Sequence, residues 1–223
     1  MESAISKVLD IRYLDGKQIV RWRADEMALG GGGSFAVAED EWEHEPVVWA
    51  DPAVPFLQCT SIDIHLHDGT AVRMLSDPDV GNMDCGLYLR TFTPAAEEPG
   101  KPAEPEDKTG APAIFRTRDL DELPLGLAQV TIVREERPTW VVEAELRIAG
   151  HVVRLLSAEV EERSNGGFRI VELDESILLQ LDGAKPVRKG ETQERGAGSP
   201  ESGTAAKEGR FAGAFRAVRR WFQ

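Results

Sequence analysis

Apolar and polar residues alternate along three stretches of the chain, and each stretch turns at a small dipeptide. Residues 62–75, IDIHLHDGTAVRML, place Ile62, Ile64 and Leu66 on one side, pass Asp68-Gly69 and resume with an apolar run. Residues 9–22, LDIRYLDGKQIVRW, show the same pattern 53 positions earlier: Leu9, Ile11 and Tyr13 fall on Ile62, Ile64 and Leu66, and Asp15-Gly16 falls on Asp68-Gly69. A third copy lies 81 positions after the second, where VVRLLS at 152–157 matches AVRMLS at 71–76 and Gly150 matches Gly69. Period-two alternation puts one set of side chains on one face of a strand. Asp-Gly favours a two-residue type I′ turn, in which both positions take positive φ. The pattern therefore predicts three β-hairpins.

The second and third copies continue through polar loops at 77–84 and 159–165 into further strands at 86–92 and 167–173, where CGLYLR at 85–90 matches GGFRIV at 166–171. A constant offset across hairpin and following strand suggests an internal duplication. Further strands are expected at 46–49, 56–60 and 128–134. The run at 177–181 suits helix or strand equally, since Asp174-Glu175-Ser176 before it is an acceptable helix start. Residues 120–127 suggest a short helical turn broken by Pro124. Four glycines at 30–33 predict a mobile loop. The expected fold is mostly β, with two related hairpin-rich halves in a barrel-like or sandwich-like arrangement.

The halves are 1–92 and 113–183. Between them, 93–112 (TPAAEEPGKPAEPEDKTGAP) is a Pro/Glu-rich segment with almost nothing to bury, expected as a linker or long loop. Residues 184–209, rich in Gly, Glu, Lys and Ser, have the composition of a disordered linker. The chain then changes character at 210–223, RFAGAFRAVRRWFQ. Phe211, Phe215, Val218 and Phe222 recur at helical spacing, the arginines fall mostly elsewhere, and Trp221 widens the apolar stripe. This predicts a short basic amphipathic helix, too short to persist alone in water.

Charge sharpens this division. The 223 residues carry a net charge of −13, with a sequence pI near 4.8. Residues 184–223 hold nine Lys/Arg against four Asp/Glu, a net of +5, which leaves −18 on residues 1–183. An acidic body repels phosphate backbones, which disfavours nucleic-acid binding, and attracts basic partners. The sequence shows neither a signal-peptide pattern nor the roughly 18-residue apolar run of a membrane span, so a cytoplasmic protein is expected. Cys59 and Cys85, two thiols in such a chain, are expected to be reduced.

Candidate chemistry is sparse. His65 and His67 point the same way on a strand and could share a metal ion, with Cys59, Cys85, Asp84, His44 or His151 as further ligands. No H-E-x-x-H or paired C-x-x-C motif accompanies them, and the alternation places both on the side away from Ile62, Ile64 and Leu66. GGGGS at 30–34 lacks the strand-turn-helix setting of a nucleophile elbow, and no cofactor motif occurs. Two groups of residues suit a partner surface: the acidic Asp77, Asp79, Asp84, Glu159, Glu161 and Glu162, and the tail residues Phe211, Phe215, Arg219, Trp221 and Phe222. The expected function is a non-enzymatic, soluble acidic binding protein, such as an immunity protein or antitoxin that blocks a basic toxin. The alternatives are a metal-dependent enzyme using His65 and His67, and a peripheral membrane adaptor docking through 210–223.

Overall fold

Alternating stretches become strands, and their pairing is antiparallel throughout. A computed structural model describes residues 8–38, 41–76, 86–92, 113–137, 140–163 and 167–186. Its strands are β1 (Val8–Asp10), β2 (Gln18–Met27), β3 (Ser34–Ala38), β4 (Glu41–His44), β5 (Leu57–Leu66) and β6 (Ala71–Leu75). They continue with β7 (Tyr88–Phe92), β8 (Phe115–Asp119), β9 (Gly126–Arg137), β10 (Trp140–Ile148), β11 (His151–Glu162) and β12 (Phe168–Leu181). The protein is mostly β, with no α-helix among the described residues. The segment expected as a linker at 93–112, the residues from 187 onward, and Asp77, Asp79 and Asp84 of the expected acidic loop lie outside the described residues.

Ten strands form one sheet in the order β1-β7-β6-β5-β12-β11-β10-β9-β2-β8, and β2 also pairs with β5. The pairings β2–β5–β12–β11–β10–β9–β2 therefore close a ring, with β6, β7 and β1 branching from β5 and β8 from β2. β3 and β4 make a separate two-stranded sheet. Strands from both sides of the 93–112 segment thus join in one hydrogen-bonded system, β5 pairing with β12 and β2 with β8 and β9.

The inward rows meet in one core. Trp22, Ile62, Ile64, Leu146, Ile148, Leu155 and Leu179 are all buried there, each aliphatic side chain contributing about 1.5–3 kcal/mol. A second cluster forms on the other face of β10, β11 and β12, where Val142, Leu156, Val160 and Leu178 are covered by Leu29, Val54 and Phe56. Residues 176–180 are consequently buried on both faces. That explains why 177–181 shows no alternation, and it is strand, not helix.

Two of the three expected hairpins are present. β5–β6 and β10–β11 pair as adjacent strands, Ile64 opposite Val72 and Leu146 opposite Val153. The first copy is not a hairpin: β1 pairs with β7, and Ile11–Leu14 forms a 3-10 turn. Ile11 and Leu14 are both buried, and their spacing of three puts them on one face of such a turn. Asp10 caps it by accepting from the Arg12 N–H at 2.7 Å. The type I′ geometry also moves. Ala149-Gly150 and Asp182-Gly183 have positive φ at both positions, whereas at Asp68-Gly69 only Gly69 does. There Gly69 N–H bonds to the Leu66 carbonyl and Leu66 N–H to Thr70, a three-residue loop with glycine in the left-handed position.

Other expectations change as well. β11 runs through Glu162, so Glu159, Glu161 and Glu162 lie on a strand and not in a loop. Ala158 and Val160 keep the alternation to that point, buried in the second cluster on the outer face of β11. Asp174-Glu175-Ser176 starts no helix; it belongs to a bulge of β12, where Ile177 faces Ser157 while Glu172 faces Ala158. Residues 46–49 contribute a single bridge, Val48 to Gly30, in place of a strand, and 120–125 form turns without a helix.

The four glycines are held in place. Gly30, Gly32 and Gly33 exchange backbone hydrogen bonds with Glu45 and Val48. Gly31 has φ +77°, and a Cβ there would stand 2.0 Å from the Pro46 carbonyl oxygen. Gly31→Ala should therefore lower stability by about 2–4 kcal/mol in urea denaturation, from left-handed strain plus the clash. Gly16→Ala, at φ +71° with open space around it, is the comparison and should cost about 1–2 kcal/mol. Equal losses would remove the close approach from the account.

Candidate functional site

Period-two alternation in β2 puts a charge where an apolar residue belongs. Trp22 and Ala24 point inward, and Glu26 continues their row with its side chain 1% exposed. Two arginines come from β8, where Arg116 faces Glu26 and Arg118 faces Ala24, whose small side chain leaves Arg118 room. Arg116 Nε donates to Glu26 Oε2 at 2.6 Å, and Arg118 Nε lies 3.2 Å from the same oxygen as an ion pair without hydrogen-bond geometry. Lys185 Nζ stands 3.9 Å from Glu26 Oε1 and donates to the Trp49 carbonyl at 2.6 Å. Arg118 also pairs with buried Glu122 at 2.9 Å, and neither Glu122 oxygen has a hydrogen-bond partner. Trp49 covers the group, its ring centre 4.2 Å from Arg116 Cζ.

Desolvation dominates the electrostatics here. Burial lowers the Lys185 ammonium below its ordinary value; Glu26 opposes the fall, and Arg116 and Arg118 add to it. Cys59, opposite Glu26 on β5, has its thiol raised far above the usual range by burial and then by the Glu26 charge. An inaccessible thiol without its thiolate is a poor nucleophile. Cys59 should resist iodoacetamide in the native protein and react on unfolding, as read by mass spectrometry at that residue. A raised folded pKa means its stabilising contribution is complete below the unfolded value of 9.0 and is lost as pH rises beyond it. Denaturation midpoints above that pH should fall more steeply for the wild type than for Cys59→Ala.

The histidines occupy other places. His65 is half-buried on the side of β5 opposite Ile64, its ring edge-on to Phe92 at 6.3 Å, and His67 is exposed at the hairpin turn. A register shift in β5 between Cys59 and Ser61 turns Cys59 into the core and leaves His65 facing away from it. His151 Nδ1 lies 2.7 Å from Asp182 at the far end of β11. Among the described residues no three His, Cys, Asp or Glu side chains converge on a metal position. Cys85 and Asp84 lie outside those residues.

Of the acidic candidates, Glu161 is tied to Arg169 across β11–β12 at 2.5 Å, and Glu159 is half-buried. Glu162 is exposed, with Oε2 2.7 Å from where a Cβ on Gly30 would stand; Glu45 Oε2 would stand 3.0 Å from one on Gly33. Phe211, Phe215, Arg219, Trp221 and Phe222 lie outside the described residues. No described helix is long and apolar enough to cross a membrane.

The buried cluster escaped sequence reasoning because Glu26, Arg116 and Lys185 are far apart along the chain. One signal was present: W-x-A-x-E at 22–26 carries a carboxylate on an inward row, and R-x-R at 116–118 repeats at the same period. No family model, characterised protein or solved structure matches the chain.

Proposed function

We propose that this chain is a non-enzymatic binding protein that takes a basic protein partner on its acidic body. The observation that supports the reading most is the glycine strip at 30–33, flanked by the carboxylates of Glu162 and Glu45. Neither is ion-paired among the described residues, whereas Glu161, Glu143 and Asp63 are matched by Arg169, Arg154 and Arg73. Unpaired carboxylates beside a strip without side chains suit an incoming Lys or Arg. The net −18 of residues 1–183 speeds encounter with such a partner. In its concrete form the chain is a cytoplasmic immunity protein or antitoxin, and the partner a basic toxin.

The ring of strands is read as a small barrel built from two related halves. Two features favour the duplication. β5–β6–β7 and β10–β11–β12 are both antiparallel meanders, and Ser76 and Ser157, matched positions of the repeat, share a buried 2.6 Å hydrogen bond. The following strands differ in register, since Leu89 faces Met74 while its repeat equivalent Ile170 faces Val160 and not Leu155.

Affinity capture from the native cell, comparing the wild type with Glu45→Lys/Glu162→Lys, tests the reading. A basic protein held at low salt, released as salt rises, and associating about tenfold or more slowly with the double variant is the expected result. Equal capture by both forms would sink this surface.

A further inference from the structure

The Glu26 cluster holds more positive charge than its own carboxylates neutralise: Arg116, Arg118 and Lys185 stand against Glu26 and Glu122. Arg118, with its side chain 9% exposed, is divided between the two carboxylates. Arg116 is used less completely. Only its Nε reaches Glu26, its side chain is 39% exposed, and among the described residues its terminal nitrogens have no hydrogen-bond partner. The Trp49 ring, 4.2 Å from Arg116 Cζ, restrains that guanidinium by a cation–π contact. Lys185, 17% exposed, spends one N–H on the Trp49 carbonyl and keeps two of its three donors. Both cations approach the oxygens of one carboxylate, at 2.6 and 3.9 Å, so they converge on a single place.

We propose that Trp49, Arg116 and Lys185 form a binding site for a small oxyanion, a carboxylate or phosphate group, at the rim of the Glu26 cluster. The free fork of Arg116 supplies two parallel N–H groups, the geometry that carboxylates and phosphates take in bidentate pairs. Lys185 adds a point charge, and the indole walls one side. The anion neutralises the charge left over by Glu26 and Glu122, offsetting the cost of keeping Lys185 protonated in partial burial. The acidity of the whole body does not oppose this strongly, because exposed charges beyond about 8–10 Å are screened at physiological salt. Both cations keep solvent-exposed surface, and β8, the strand of Arg116, pairs only with β2 among the described residues. The site shares no residue with the Glu45–Glu162 surface and stands or falls separately from it.

The test is titration of the full chain with inorganic phosphate and, separately, with succinate, with ionic strength matched by sodium chloride. The Trp49 indole N–H, assigned in a ¹⁵N spectrum by its loss in Trp49→Phe, reports on the site. A saturable shift with either anion, weakened roughly tenfold or more in Arg116→Gln, is expected. A response to phosphate alone identifies a phosphoryl ligand, and one to succinate alone identifies a carboxylate. Far-UV circular dichroism in chloride checks that Arg116→Gln is folded. If it is not, Arg116→Lys keeps the charge beside Glu26, removes the fork, and should show the same weakening. Absence of a saturable shift with both anions, or an equal response in wild type and variant, overturns the proposal.

Discussion

Glu26→Gln should destabilise the protein by roughly 3–5 kcal/mol, a large share of the total for a domain of this size. The carboxylate is buried and sits within 4 Å of Arg116, Arg118 and Lys185. Glutamine keeps the shape and removes the charge. Three cations then face each other with Glu122 as the remaining buried counterion among the described residues, where its one ion pair is with Arg118. An unpaired buried charge cannot recover its lost hydration, so the penalty is set by what remains and not by the bond that is lost. Glu161→Gln is the matched comparison. It breaks an ion pair with Arg169 of similar length, but both side chains are more than a third exposed, so solvent screening limits the loss to about 0–1 kcal/mol. Urea denaturation with an unchanged slope should separate the two variants by several kcal/mol. If they fall together, the cluster at Glu26 is solvated and the burial assigned to it is wrong.

The contrast between these glutamates also shows what could be read from the chain. Where one face of a strand is buried and the other wet, alternation reports it directly. β5 around Ile62–Ile64–Leu66 and β10–β11 around Ala149-Gly150 were legible for that reason, as was the outward placement of His65 and His67. Alternation fails when both faces are covered, as at 177–181, because burial is then set by a distant segment that the local sequence does not contain. It also misleads where another period fits the same residues. Ile11 fits the apolar row of the repeat, but Leu14 falls on the position of exposed His67; a spacing of three puts both on the buried face of a turn, which Asp10 caps. The glycines at 30–33 look loose from composition alone, yet Gly31 is required by the close approach of Pro46. A buried ion cluster is harder still, since its members meet only after β2 and β8 have paired across a separation of 90 residues, as for Glu26 and Arg116.

Trp22→Ala should cost about 3–5 kcal/mol, the range for emptying a large buried aromatic site. Position adds to the volume effect. β2 pairs with β9 at Gln18 and Ile19 and with β8 from Arg23 to Met27, so its partner changes on either side of Trp22. The chain between β8 and β9 is held at that gap from two directions: the Trp22 carbonyl accepts from Leu120 N–H, and Trp22 Nε1 donates to the Pro124 carbonyl, both at 3.0 Å. Leu120 and Leu123 bury their side chains in the same core as the indole. Removing Trp22 thus opens a cavity and frees the turn that joins two strands of the sheet. Trp22→Phe keeps most of the apolar volume and deletes the indole donor, so it should cost less, about 1–3 kcal/mol. Hydrogen exchange supplies the discriminating readout. In Trp22→Ala the Leu120 and Leu123 amides should exchange faster than β11 amides by more than the global loss of stability allows, because the turn opens locally. Uniform acceleration across both regions would mean that Trp22 acts only through core volume and does not anchor the point where β2 changes partners.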